Sequence, residues 1–135
     1  MDTFKKLEHI GIAVKDATQS IKLFSALLGT SPYLEEEVAS ENVRTVFYKV
    51  GETKLELLEC LSADGTIARF IEKRGEGIHH LAFDVEDIHA SIERLKKEGF
   101  QFISDIPKRG AENKLVVFLH PKSGNGILIE LCQDI

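Results

Sequence analysis

Cysteine is scarce in this 135-residue chain, basic charge is outweighed, and long apolar runs are missing. Each absence removes a class. Two cysteines, Cys60 and Cys132, make no disulfide framework and suit a reduced, cytoplasmic protein. Seventeen Lys and Arg stand against 22 Asp and Glu, so the formal charge is −5 and there is no basic footprint for nucleic acid. No stretch approaches the ~20 apolar residues of a membrane span. The opening Met1-Asp2-Thr3-Phe4-Lys5-Lys6 holds no apolar run of signal-peptide length. With 43% hydrophobic and 29% charged residues and no low-complexity stretch, 1–135 reads as one globular domain.

What is there is a repeat. Leu7-Glu8-His9-Ile10-Gly11-Ile12-Ala13-Val14 returns, in type and order, within Gly77-Ile78-His79-His80-Leu81-Ala82-Phe83-Asp84-Val85. His9 and His80 are 71 positions apart, and so are Asp16 and Asp87, Ser20 and Ser91, and Phe47 and Phe118. Glu56 and Glu130 match at an offset of 74, the difference fitting the turn Pro121 to Gly126. Both opening stretches alternate as strands do. One face carries Ile10, Ile12 and Val14, or Leu81, Phe83 and Val85, and needs a cover. The other carries His9, Gly11 and Ala13, or His80, Ala82 and Asp84, and its small residues leave room beside each histidine.

In order, Asp16 or Thr18 caps a helix with Ile21, Phe24, Leu27 and Leu28 at helical spacing, stopped by Gly29. The acidic run from Leu34 to Ser40 has no clear type. Val43 to Val50 and Lys54 to Glu59 read as antiparallel strands around a turn at Gly51. Asp64 or Ser62 starts a short connecting helix ending at Lys73-Arg74-Gly75. The second half offers the His80 strand, a helix over Ile88, Ile92 and Leu95 stopped by Gly99, and strands at 100–104, 114–120 and 126–132, with a loop through Pro107 to Asn113. The halves are about 5–61 and 77–133, with 62–76 between them.

Each half therefore brings one inward His and one inward Glu. An inward charge is costly unless paired or bound to metal. Two imidazoles and two carboxylates suit a divalent ion such as Mn, Co, Ni, Zn or Fe, and argue against a closed thiolate zinc site. On an octahedral ion, four such ligands leave two positions for a substrate that chelates through two oxygens. Of the other histidines, His79 points away from the His80 face and reads as structural, His89 as solvent-facing, and His120 as a group at the mouth of the site or a bystander.

The chain resembles the vicinal oxygen chelate superfamily, whose α+β fold is a duplicated βαβββ unit forming a cup around a metal. Within it the chain looks most like the methylmalonyl-CoA epimerases, through LEHIGIAV (7–14), VGETKLELL (50–58), FIEKRGEGIHHLAF (70–83) and FLHPKSGNGILIELCQ (118–133). The resemblance implies His9, Glu56, His80 and Glu130 as ligands of a divalent ion (Co, Mn, Ni or Zn). It implies interconversion of (2R)- and (2S)-methylmalonyl-CoA by proton abstraction next to the thioester, through a metal-stabilised enolate, in a homodimer. Inversion requires a proton-transfer group on each face of the carbon. Glu130 resembles the family's base for one face. Glu41 lies near the place of the other, with Glu36 and Glu37 competing. Lys73, Arg74, Lys108, Arg109, Lys114 and Lys122 are candidates to meet the CoA phosphates. The same fold leaves open a glyoxalase I-type lactoylglutathione lyase, with the same ligand quartet, and a non-enzymatic binding protein that needs no metal. A three-ligand ring-cleaving iron dioxygenase fits less well, because a fourth acidic position is present.

Overall fold

A computed structural model describes residues 2–135; Met1, where the expected domain begins, lies outside them. The chain order is β1 (Lys6–Ala13), α1 (Ala17–Leu28), β2 (Leu34–Val38), β3 (Val43–Val50) and β4 (Thr53–Cys60), then α2 (Thr66–Arg74). It continues with β5 (Gly77–Asp84), α3 (Ile88–Lys97), β6 (Lys108–Gly110), β7 (Lys114–Phe118) and β8 (Ile129–Asp134). This is βαβββ twice, joined by α2. By contacts the chain forms two compact units that cut across the repeat. One is Ile10–His79; the other joins the segment through His9 to His80–Ile135.

In the unit Ile10–His79, β2, β3 and β4 form an antiparallel ladder in which Leu34, Phe47 and Glu56 lie abreast. The second half of β1 runs beside β4, where the Val14 N–H donates to the Leu58 carbonyl at 2.9 Å. Alternation sorts this sheet into two faces. One face gives Val14, Val46, Tyr48 and Leu57 to a core closed by Ile21, Phe24 and Leu28 of α1. The other carries Glu56 and, further along, Ala13, Val43 and Leu58, which α2 covers with Ile67, Phe70 and Ile71. The Tyr48 hydroxyl donates to the Ile21 carbonyl at 3.1 Å and shares a 2.8 Å hydrogen bond with the Ser25 hydroxyl, so this buried phenol is satisfied. Asp16 caps α1 by accepting from the Gln19 N–H, and Gly29 ends the helix at φ 71°.

In the other unit the order is β5-β8-β7-β6. β5 and β8 are parallel, with Ala82 beside Glu130, and β8 pairs with β7 antiparallel, with Glu130 opposite Phe118. The segment before β1 lies along β5, the Lys5 N–H donating to the Asp84 carbonyl at 2.8 Å. Val85, Val117 and Leu131 pack under Ile88, Ile92 and Leu95 of α3. The opposite face carries His80, Ala82, Val116, Glu130 and Cys132. Asp87 caps α3 through the His89 and Ala90 N–H groups, so the repeated Asp16 and Asp87 do the same work in both halves.

Four expectations need correction, and one stretch left open gains a type. Residues 100–104 make no strand; only Phe102 bridges to Leu119, and the second strand of that half is β6, inside the expected loop. The acidic run 34–38 is a strand, because pairing with β3 overrides the poor intrinsic preference of Glu. The last strand starts later, at Ile129. α2 is preceded by Gly65 with no side-chain cap, neither Ser62 nor Asp64 serving. Leu27 is 71% exposed and does not join the apolar stripe of α1.

The two environments predict unequal effects. Leu131→Ala, in the α3 core, should lower unfolding free energy by about 2–5 kcal/mol in urea titrations. Leu27→Gln should change it by less than about 0.5 kcal/mol.

Candidate metal centre

The alternation that buries Ile and Leu under the helices turns His9 and His80 to the opposite face, where both are buried, at 5% and 4% exposure. Parallel pairing of β5 with β8 sets Glu130 beside Ala82, two residues along that face from His80. A larger side chain than Ala82 would occupy the space between them. The imidazoles stand nearly perpendicular, at 86°, with Nε2 facing Nε2 at 3.1 Å. Glu130 Oε1 lies 3.1 Å from His80 Nε2 and 3.5 Å from His9 Nε2. Phe118, opposite Glu130 in the ladder, presses edge-on against the His80 ring at 5.9 Å between centroids.

Glu8 supplies a contact that sequence reasoning missed. It is 2% exposed, and its Oε1 lies 2.9 Å from His9 Nδ1. A carboxylate there favours the tautomer with the proton on Nδ1, which leaves the Nε2 lone pair free to bind a cation. Strand alternation assigns neighbours to opposite faces, so periodicity alone gave no hint that Glu8 reaches the ring beside it. The only signal was an acid immediately before the histidine.

These donors fit a divalent ion. With bonds of about 2.1 Å, two ligands at right angles around a metal are about 3 Å apart, close to the 3.1 and 3.5 Å separations between these three donor atoms. Their chemistry fits as well, since imidazole nitrogen and carboxylate oxygen suit such ions. Glu56, the fourth expected ligand, is buried at mid-β4 in the unit Ile10–His79. All four side chains expected as ligands are thus buried, and the three atom-to-atom separations among His9, His80 and Glu130 are those of neighbouring ligands.

Electrostatics follow from burial. Desolvation pushes the Glu130 carboxyl upward, but hydrogen bonds to His80 and His9, and their charge, outweigh it and hold the group well below the usual carboxylate range. Glu130 is ionised at neutral pH. Cys132 is pushed far the other way, by burial first and then by the charges of Glu130 and Glu8, so its thiol stays protonated.

The remaining candidates scatter. Glu41 closes a 3₁₀ turn, Ala39–Glu41, directly before β3, and is half-buried. Glu36 is half-buried in β2 and shares its side of the strand with Leu34, whereas Glu37 is exposed on the other side. His79 packs edge-on against Phe70 at 4.9 Å, a structural role as expected. His89 is exposed. His120 Nδ1 accepts the Lys122 N–H at 3.1 Å and caps the turn Pro121–Gly124. Lys114 is no rim residue, being 7% exposed and bonded to Asp134. Among the described residues no helix is long and apolar enough to cross a membrane.

Residues 8–118 match the profile of the glyoxalase/bleomycin resistance protein/dioxygenase superfamily. The chain is 40% identical over 130 residues to the ethylmalonyl-CoA/methylmalonyl-CoA epimerase of Cereibacter sphaeroides, covering 95% of this chain and 97% of the relative. A hypothetical protein of Bacillus halodurans is 43% identical, with a TM-score of 0.93 over 96% of this chain and 94% of its own. A Streptomyces coelicolor methylmalonyl-CoA epimerase variant, in complex with 2-nitronate-propionyl-CoA, superimposes with a TM-score of 0.93 at 30% identity, over 98% of this chain and 96% of its own.

Glu8→Gln keeps the size of the side chain and removes its charge. It should weaken divalent-ion affinity by about 10–100-fold, the usual effect of losing a carboxylate behind a ligating imidazole. Chelator competition measures this directly, and circular dichroism should show the fold unchanged.

Proposed function

We propose, for a chain that belongs to the methylmalonyl-CoA epimerase family of the glyoxalase/bleomycin resistance protein/dioxygenase superfamily, that it interconverts the (2R) and (2S) forms of methylmalonyl-CoA by a metal-dependent proton transfer at C2. The observation that carries this reading is the convergence of His9 Nε2, His80 Nε2 and Glu130 Oε1 on one buried point. His9, Glu56, His80 and Glu130 are the proposed ligands. What a divalent cation supplies there, when bound, is positive charge beside the thioester oxygen as the neighbouring carbon loses its proton. Co, Mn, Ni and Zn all suit the donor set.

The side chains divide the remaining work. Glu8 holds the His9 ring in one tautomer and orientation. Phe118 and Ala82 flank His80 and Glu130 with apolar surface and keep water from the donor atoms. Glu130, ionised at neutral pH, receives the C2 proton on one face of the substrate. Inversion needs a second group on the opposite face, because one group returning the proton to the same side restores the starting hand. Glu41 takes that role in this reading, supported by its half-buried position before β3; Glu36 is the competitor that its place in β2 allows. The whole chain acts as one domain of two βαβββ halves, in a cytoplasmic homodimer. The dimer rests on the family likeness, and the compartment on the free cysteines Cys60 and Cys132.

Metal-loaded protein should incorporate solvent deuterium at C2 of methylmalonyl-CoA while interconverting the epimers, read by NMR. Absence of exchange with the ion bound would reject the reading. His80→Ala should lower ion retention together with turnover; ion content and activity both equal to those of the unaltered protein would remove the proposed centre.

A further inference from the structure

Among the described residues Lys114 is the one lysine or arginine that is buried, at 7% exposure. It bonds Asp134 across the β7–β8 ladder, but the Asp134 side chain is 72% exposed, and such a pair forms equally well at the surface. An ammonium drawn inward sheds hydration that one exposed carboxylate does not replace. Its burial therefore calls for negative charge on the inner side.

That side is acidic. Register sets Lys114, Val116 and Phe118 opposite Asp134, Cys132 and Glu130, so the lysine shares the face of the donor set. Within this unit the buried carboxylates are Glu8, Asp84 and Glu130. Glu130 faces the two imidazoles. Asp84 has Lys5 Nζ at 3.7 Å from Oδ2, and its Oδ1 is buried with no hydrogen-bond partner, so the Lys114 ammonium is not bonded there. Glu8 meets the His9 ring at 2.9 Å, a contact that brings a hydrogen bond without an opposing full charge when the imidazole is neutral.

Two neighbouring groups sense Glu8 and Lys114 together. The Asp134 carboxyl is drawn below its usual range by the Lys114 hydrogen bond first, while its partial burial and the charge of Glu8 oppose the shift. The Cys132 thiol is pushed up by burial first, then by Glu130 and Glu8, with Lys114 opposing. At Cys132 the charge of Glu8 outweighs that of Asp84, although Asp84 is its partner in the β5–β8 ladder. The Glu8 carboxylate thus stands on the side of the sheet that Lys114 enters.

We infer that Lys114 is a positioning residue of the metal centre: its buried ammonium holds the Glu8 carboxylate against His9 Nδ1, and through that ring it sets the affinity of the site for a divalent ion. This rests on the proposed centre at His9, His80 and Glu130. The sign of the effect separates positioning from simple charge. A positive charge near a cation site repels the ion, so a lysine acting through space alone would weaken binding and its removal would tighten it. A lysine that holds the carboxylate behind a ligating imidazole does the reverse. Without it Glu8 can leave the ring, and His9 loses its fixed tautomer and orientation.

The test uses the full chain and cobalt(II), with affinity read by chelator competition and ligand geometry by the visible absorption of the bound ion. Lys114→Met keeps the length of the side chain and removes its charge. It should weaken affinity about tenfold and shift the absorption band in the same direction as Glu8→Gln. In the double variant, Glu8→Gln with Lys114→Met, affinity should equal that of Glu8→Gln alone, because nothing remains for the lysine to hold. Breaking a buried charge pair destabilises, whereas neutralising both partners does so far less, so Tm should fall in Lys114→Met and recover in the double variant. Unchanged or tighter binding in Lys114→Met would overturn the inference, and so would additive losses in the double variant. A lowered Tm with affinity and spectrum unaltered would show a merely structural pair, and a Tm that stays low in the double variant would give Lys114 a different partner; either result also overturns it. If the unaltered protein binds no cobalt, the centre itself fails and Lys114 has nothing to tune.

Discussion

Three electron-pair donors share one dry point, and most of the sheet architecture around them follows from making that tolerable. Two imidazole nitrogens 3.1 Å apart are each within 3.5 Å of the Glu130 carboxylate, on a face where water is displaced by Phe118, Ala82 and Cys132. Without a positive charge among them, such donors are poorly placed: both nitrogens cannot present lone pairs to each other, and a buried carboxylate needs compensation. A proton on one imidazole is one remedy and a divalent cation is a better one. The hydrophobic helices on the other side of each sheet keep this face from relaxing, because a one-residue slip of β5 against β8 would exchange His80 and Ala82 for Leu81 and bury the wrong set.

The same contacts that keep Glu130 ionised make it a weak base. A carboxylate held well below its usual range by two imidazoles is always ready to accept a proton at neutral pH, but gains little by doing so. Proton abstraction by such a group depends on acidifying the carbon rather than on the strength of the base. The adjacent thioester, with positive charge beside its oxygen, does that. The two faces of the substrate therefore need not meet equal partners. Glu130 is locked into the donor set, whereas Glu41 stands in a 3₁₀ turn before β3. Asymmetry of this kind arises easily in a duplicated chain, where one copy of a turn can change its side-chain bonds without disturbing the shared strands.

Period-two alternation made the histidine strands, their faces and the helices that cover them legible in the sequence, and Asp16, Gly29 and Gly99 marked helix ends through ordinary capping chemistry. Strand pairing explains much of what sequence did not reveal. The acidic run at β2 is a strand because β3 offers it a ladder, and 100–104 is not one because β7 pairs instead with 108–110. Lys114 looked like a surface cation until register placed it opposite Asp134, which satisfies its charge in a buried setting. Glu8 escaped notice for a different reason. Its side chain reaches along the strand to its own neighbour, a contact that alternation says nothing about.

The duplication also explains why the buried donors come from strands. Positions that must meet at a shared point are best held by ladders, and His9, His80 and Glu130 lie in strands; Phe47 and Phe118 stand opposite Glu56 and Glu130 in equivalent pairs. Those pairs keep the repeat's symmetry. A proton-transfer group faces a looser requirement, since it has to reach a carbon presented by the substrate and withdraw again.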